Sequence, residues 1–300
     1  MGRRLAAVDV GSNTVHALVA DWAGGRLEDV SHHVLASGLG PEVARAGRIG
    51  ETVGAQALDA LGQVLADAAR FQPDSLVAGA TEAVRRAPDR SPFLRRASEV
   101  ARVPVHLLTS EREARLGFEG VAGEDAPAGR WLMGDVGGGS TQLVAAEGPE
   151  PAQWVSLPVG SGALAARHLS DPPAPGEREH LRAAAAQALR PAPDWAAKRL
   201  LLTGGTAMNL PGVLSRGTHT PALARADLGD AIRTLDAAPA ARLSAALELP
   251  EGRVLALRAG AEILLLLLQR YGLGRVEISY RGLRHGMLRA FVARGDEWWR

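Results

Sequence analysis

Apolar residues along the chain fall into short runs divided by glycine turns. Residues 5–10 form an apolar run interrupted only by Asp9, and residues 15–20 form a second of similar length. Runs this short, bounded by turn residues, predict buried strands. Gly11-Ser12-Asn13-Thr14 supplies the turn between them, and Gly24-Gly25 marks a further hairpin. The opening is therefore strand–turn–strand, which argues against a dinucleotide-binding domain. The period then changes. Val53, Ala57, Leu61, Val64, Leu65 and Ala68 share one face of a helix predicted over 52–69. A strand at 75–80, a helix at 91–100 and a strand at 103–108 follow. Thr109-Ser110 then caps a helix carrying Glu111, Glu113 and Arg115.

After a Gly/Pro-containing linker at 124–130 the opening pattern returns. Residues 131–136 read as a strand, Gly137-Gly138-Gly139-Ser140 as a turn, and 141–146 as a strand. Asp9-Val10-Gly11 and Asp135-Val136-Gly137 are the same tripeptide at the same structural point, each followed by a small polar turn and a threonine. Such an echo in matching strand context points to duplication. The second half continues with a proline loop at Pro172, Pro173 and Pro175 and an alanine-rich helix at 177–189. A strand at 199–203 ends in a third glycine turn, Gly204-Gly205-Thr206. A long buried helix at 253–271, a strand at 275–279 and a helix at 286–294 complete the chain. The expected division is 1–120 and 121–300, with the last helix, about 286–300, packing back on the first domain.

Composition narrows the function. The 300 residues are 46% hydrophobic with a net charge of +1, which suits two folded domains and gives no overall field for nucleic acid or a membrane surface. There is no cysteine, so disulfides and thiolate metal sites are excluded. The longest apolar run, 263–268, is far short of the roughly 20 residues a membrane helix needs. No signal peptide is read, since Asp9 interrupts the N-terminal apolar stretch; a cytoplasmic protein is expected. Lys198 is the single lysine and lies outside any glycine loop, so there is no Walker-type loop. His32-His33, His106, His168, His180, His219 and His285 lack metal-ligand spacing. The terminal Trp298-Trp299 are expected to pack on a neighbouring helix or subunit.

A strand that ends in Asp-x-Gly and turns back through glycine and hydroxyl residues can expose several backbone N–H groups at one spot, a concave set of donors for phosphate oxygens. Glycine lets the anion approach closely. The aspartate repels phosphate, so its expected role is to hold a hydrated Mg²⁺ that bridges to the phosphates.

The motifs resemble those of the exopolyphosphatase/guanosine pentaphosphate phosphohydrolase (Ppx/GppA) family, short two-domain type. Residues 7–14, 80–87, 109–116 and 135–141 look like its first four motifs, the last being the most specific. Residues 156–160, 203–207 and 282–286 match weaker signatures in the same order. The resemblance implies an α/β fold of two ribonuclease-H-like domains of the actin/Hsp70/sugar kinase (ASKHA) superfamily, with an interdomain cleft. It implies release of terminal phosphate from inorganic polyphosphate, or of the 5′ phosphate from guanosine pentaphosphate, with Mg²⁺ or another divalent cation, and a homodimer as one assembly. Carried over by motif, Glu113 is the general base and Arg85 contacts the transferred phosphate. Gly11, Ser12, Asn13 and Thr14, then Gly137, Gly138, Gly139, Ser140 and Thr141, and Gly204, Gly205 and Thr206, cradle phosphates. Asp9 and Asp135 hold the metal, with Gln142 in place of the family's glutamate.

Departures from the family pattern are Gln142, Ala163 where an arginine is usual, Arg253-Val254-Leu255 where Arg-Ala-Asp is usual, and His285 where an acid is usual. Glutamine keeps the shape of glutamate without its charge and is a poorer Mg²⁺ ligand. A second reading is therefore a polyphosphate or nucleotide sensor with weakened catalysis. A kinase of the same fold is disfavoured, because the third and fourth motifs match the phosphatase branch.

Overall fold

The computed structural model describes residues 2–123, 126–216 and 220–300. His219 and the linker residues Glu124 and Asp125 lie outside the described residues. The chain divides into two compact units, Met1–Asp125 with Arg281–Arg300, and Ala126–Tyr280. A boundary at residue 120 would sever a helix that runs to Ala122.

In the first unit, β1 (Arg3–Val10), β2 (Thr14–Ala23) and β3 (Arg26–Ala36) form an antiparallel meander. Helices α1 (Leu39–Ala46) and α2 (Glu51–Ala69) lead to β4 (Ser75–Ala80), which pairs parallel with β1. Then come α3 (Glu82–Arg86), α4 (Arg90–Ala101), β5 (Val105–Leu107) parallel to β4, and α5 (Ser110–Ala122). The sheet order is β3-β2-β1-β4-β5. β1 is central because both its faces are apolar. Ala6, Val8 and Val10 enter the core with α2 and α4, while Leu5 and Ala7 enter a second core on the opposite face. A strand buried on both faces reads as a nearly continuous hydrophobic run.

The second unit repeats this plan. β6 (Arg130–Val136), β7 (Thr141–Glu147) and β8 (Glu150–Leu157) form the meander. After α6 (Ser161–His168) and α7 (Glu177–Ala188), β9 (Arg199–Thr203) adds parallel to β6. Next are α8 (Gly204–Val213), β10 (Ala222–Ala224), α9 (Arg225–Asp236), α10 (Ala240–Leu247), α11 (Glu251–Arg270) and β11 (Arg275–Ile278). The order is β10-β11-β9-β6-β7-β8. Both sheets thus have the ribonuclease-H-like arrangement, a meander followed by strands parallel to its first, with β10 added antiparallel at the edge of the second sheet, and the recurring Asp-Val-Gly tripeptide spans the end of the first strand of each. One expectation needs correction. Gly204-Gly205-Thr206, expected as a third glycine turn, is the start of helix α8, because Ala207, Leu210 and Val213 are drawn into the core of this unit.

The last helix, α12 (Leu283–Arg294), belongs to the first unit. Its Leu283, Met287 and Leu288 join Leu5, Ala7, Leu18 and Leu116 in one core. The terminal tryptophans pack within the unit on strand β5. Trp299 stacks on His106 with ring centroids 4.5 Å apart, and Trp298 meets the same ring edge-on at 5.7 Å. Arg112 fixes this end by donating to the Trp298 carbonyl (2.6 Å). Among the described residues no helix is long and apolar enough to cross a membrane.

Candidate active site

Four of the sequence motifs converge in the first unit. Gly11 closes the β1–β2 turn by donating to the Thr14 carbonyl (2.9 Å). The turn's carbonyls are gripped from behind. Ser37 Oγ donates to Gly11 O and Ser12 O (2.8 and 3.0 Å), Ser37 N to Asn13 O (2.9 Å) and Gly40 N to Ser12 O (2.7 Å). The amides of Ser12 and Asn13 have no hydrogen bond to another described residue. Thr81 N donates to Val10 O (3.2 Å), which sets α3 directly behind the turn. From α3, Glu82 accepts a hydrogen bond from Ser12 Oγ (3.0 Å). Arg85 Nη1 donates both to the Leu108 carbonyl (2.7 Å) and to Glu113 Oε2 (3.0 Å).

Glu113 reaches this point because Thr109 caps α5, accepting from Arg112 N (3.1 Å), which puts Glu113 in the first helical turn. The Arg85–Glu113 pair is mostly shielded from solvent, at 21% and 14% side-chain exposure. Arg284 of α12 lies with its guanidinium 3.8 Å from Asp9 Oδ2. Glu82 and Arg284 lie in visible motifs but carry no local signal of a role, because which side chain faces the turn depends on how α3 and α12 pack.

The second unit builds a matching turn on different supports. Gly137 N donates to Ser140 O (2.9 Å). Ser161 donates to the Gly137 carbonyl through N and Oγ (2.8 and 3.0 Å), and Ala163 N donates to the Gly138 carbonyl (2.9 Å). A Cβ on Gly160 would overlap the backbone of Gly138 and Gly139, so the segment after β8 presses directly on the turn. The amides of Gly138 and Gly139 have no hydrogen bond to another described residue. Gly204 has φ +83° and sits so close to Asp135 that a Cβ would overlap its Oδ1. Both facts demand glycine there. Arg253, at the start of α11, lays its guanidinium against Gly205. Burial pushes its pKa down, and its guanidinium has no hydrogen-bond or ion-pair partner among the described residues. A half-buried arginine without an internal counter-charge among the described residues, beside a glycine at a helix start, is suited to an anion. In the sequence Arg253 stands out only as the first residue of the Arg253-Val254-Leu255 triplet. Its unpaired state is a tertiary property.

The cradle is smaller than the sequence implied. The amides of Gly11 and Gly137 are engaged within their own turns. The hydroxyl of Thr141 donates to Val159 O (2.6 Å) and that of Thr206 to Val136 O (2.9 Å), both buried. These two threonines tie the turn to neighbouring strands. Asn13, Gly138 and Gly139 are left as the half-buried part of each motif, Ser12 and Ser140 are themselves buried, and Thr14 already begins β2.

Asp135 and Gln142 are cross-strand partners and share one face of the sheet. Gln142 is 2% exposed, and its Nε2 donates to Ser140 Oγ (2.8 Å) and Ser156 Oγ (3.4 Å). Among the described residues no three His, Asp or Glu side chains are grouped to hold a metal ion. This unit offers one carboxylate and one neutral amide oxygen, and the first unit, taken by itself, the Asp9 carboxylate beside an arginine; either is a sparse, oxygen-only donor set. That set fits a Mg²⁺ that keeps most of its water and takes oxygens from substrate phosphate. It does not fit a cation requiring a full protein cage.

The sequence profile of the Ppx/GppA phosphatase family matches residues 18–294. The chain belongs to this family. A Streptomyces coelicolor protein described as uncharacterised is 30% identical over 321 aligned positions, spanning 99% of this chain and 92% of its own. The Aquifex aeolicus Ppx/GppA enzyme is 26% identical and superposes with a TM-score of 0.78, covering 97% of this chain and 100% of that one. An exopolyphosphatase from Cytophaga hutchinsonii has a TM-score of 0.87 at 22% identity, covering 97% and 98%, and attests the fold. The Ppx/GppA member described here is thus an α/β protein of two ribonuclease-H-like domains of the actin/Hsp70/sugar kinase type, in a family of phosphatase hydrolases.

Proposed function

We propose that this Ppx/GppA member releases terminal phosphate from inorganic polyphosphate by attack of water on the terminal phosphorus. Guanosine pentaphosphate is the alternative substrate. The observation that carries the reading is the shielded Arg85–Glu113 pair behind the Asp9 turn. Glu113 accepts a proton from the attacking water, and Arg85 holds that carboxylate in place while offsetting charge on the phosphoryl group. The amides of Ser12 and Asn13, of Gly138 and Gly139, and the Arg253 guanidinium are the anion contacts. Mg²⁺, when bound, would be held in the second unit by Asp135 with the Gln142 carbonyl beside it, Asp9 being the matching carboxylate of the first unit, and would neutralise phosphate charge. Phosphoryl transfer asks chiefly for such placement and neutralisation.

The test is phosphate release from polyphosphate and from guanosine pentaphosphate by purified protein with Mg²⁺ or Mn²⁺. Turnover of either substrate supports the proposal, and no release from both ends it. One observation favours a second reading, a phosphate-chain sensor. The Gln142 side chain directs its N–H donors at Ser140 and Ser156 and brings no charge to Asp135. Q142E is accordingly expected to raise Mg²⁺-dependent turnover roughly tenfold or more, since a carboxylate is a far better Mg²⁺ ligand than an amide. Polyphosphate binding by calorimetry with no turnover in either form would favour the sensor.

A further inference from the structure

His285 stands where the family pattern usually has an acid, and the fold supplies an acid to meet it. The ring is buried, 1% exposed, and anchored at both nitrogens. Gly282 N donates to Nδ1 (3.2 Å), so Nδ1 is the acceptor and Nε2 carries the proton. Nε2 then donates to the Asp29 carboxylate of β3, at 2.9 Å from Oδ1 and 3.2 Å from Oδ2. Burial holds the His285 pKa down, so the imidazole is neutral. Burial pushes Asp29 up, but hydrogen bonds from His285 and His32 outweigh it and hold Asp29 well below the usual carboxylate range. A second tie joins the same two segments, from Arg281 Nη2 to the Leu27 carbonyl (3.4 Å).

Arg284 lies between these two ties in the chain, and its guanidinium reaches Asp9. Asp29 is also linked back to the same strand end from the other side. His32 Nε2 lies 3.0 Å from Asp29 Oδ2, and its Nδ1 lies 3.3 Å from Nε2 of His16, the cross-strand partner of Asp9. On its opposite flank α12 is locked to α5, the helix that carries Glu113, by backbone contact at Gly120 and Gly286.

We propose that His285 and Asp29 form a clamp that positions Arg284 against Asp9, with His285 a neutral hydrogen-bond donor held by an acid from β3 in place of the acid usual in this motif. His285 is thus a positioning residue, acting through Arg284. The inference rests on the reading that Asp9 belongs to the phosphate-handling site.

The test uses the full chain, phosphate release from polyphosphate, and thermal melting in parallel. H285E sets two acids against each other. It is expected to lower kcat roughly 10–100-fold, as small misplacements of site groups do, with KM moving far less. D29K/H285E joins the same two positions by an ion pair instead of the hydrogen bond and is expected to return kcat to within about threefold of wild type. In an R284A background H285E is expected to have no further effect, because the clamp then aims nothing. The clamp is overturned by unchanged kcat in H285E, by an equal loss with and without Arg284, or by a folded D29K/H285E no better than H285E. Should H285E melt out, D29N is put through the same cycle with R284A. If wild type releases no phosphate, the hydrolase reading has failed, and the clamp is read separately from the Arg284 Nε–Hε resonance. That resonance is expected to exchange slowly in wild type and to be lost in D29N; an unaltered signal overturns the clamp.

Discussion

Replacing Glu113 by glutamine is expected to cut phosphate release by roughly 10²–10⁴-fold, the range associated with a general base. The substitution keeps the size and planarity of the side chain, and glutamine can still accept the hydrogen bond from Arg85 through its amide oxygen. The cap at Thr109 and the apolar face of α5, with Leu116 and Phe118 buried, are untouched. Folding should therefore be nearly unchanged, and the loss should lie in kcat. Steady-state phosphate release, with circular dichroism as the folding control, checks both. An E113Q protein within threefold of wild-type kcat would remove Glu113 from the reaction and return it to the role of an ordinary ion-pair partner for Arg85. Glu111, in the same turn and paired with Arg115 at 56% and 48% side-chain exposure, is the natural comparison, because its replacement should leave kcat unaltered.

The contrast between Glu111 and Glu113 shows where the sequence is legible and where it is not. Both glutamates stand in one capped helical turn, and local pattern alone makes each a solvated surface acid. The family motif separates them, and packing of Arg85 from α3 gives the separation a physical basis. The same holds for secondary structure. β1, β2, β6 and β7 announce themselves as short apolar runs around glycine turns, and α2 by its periodicity. β3 and β8 do not, because edge strands expose much of their length. β3 carries Glu28, Asp29, His32 and Val34 outward, and β8 carries Pro151, Gln153 and Trp154. Helix α8 is hidden for another reason. It opens with two glycines and contains Pro211, so its sequence spells a loop, and tertiary burial of Leu210 and Val213 makes it a helix. The pairings of Arg284 with Asp9 and of His285 with Asp29 join residues near opposite ends of the chain. No local pattern encodes them.

The second large effect expected is on stability, and it runs against helix propensity. Gly286 lies within α12, where alanine would ordinarily stabilise by up to about 1 kcal/mol. Here a Cβ would fall on the carbonyl of Leu116 in α5, and the reciprocal Cβ on Gly120 would fall on the Gly282 carbonyl. Both obstacles are backbone, so no rotamer change relieves them and the two helices must separate. Separation loosens Leu116, Leu283, Met287 and Leu288, which share one core with β1 and β2. G286A is therefore expected to destabilise by about 3–5 kcal/mol, at or beyond the top of the overpacking range. Gly252, helical in α11 with open space around its Cα, is the control: G252A should be neutral or stabilising. Urea denaturation of the pair measures both signs. The same displacement moves α5 relative to α12, and with them Glu113 and Arg284, so whatever G286A protein remains folded should also be poorly active. A G286A variant as stable as wild type would mean that the two helices can part at little cost, and with that the rigid link between the third and last motifs would go.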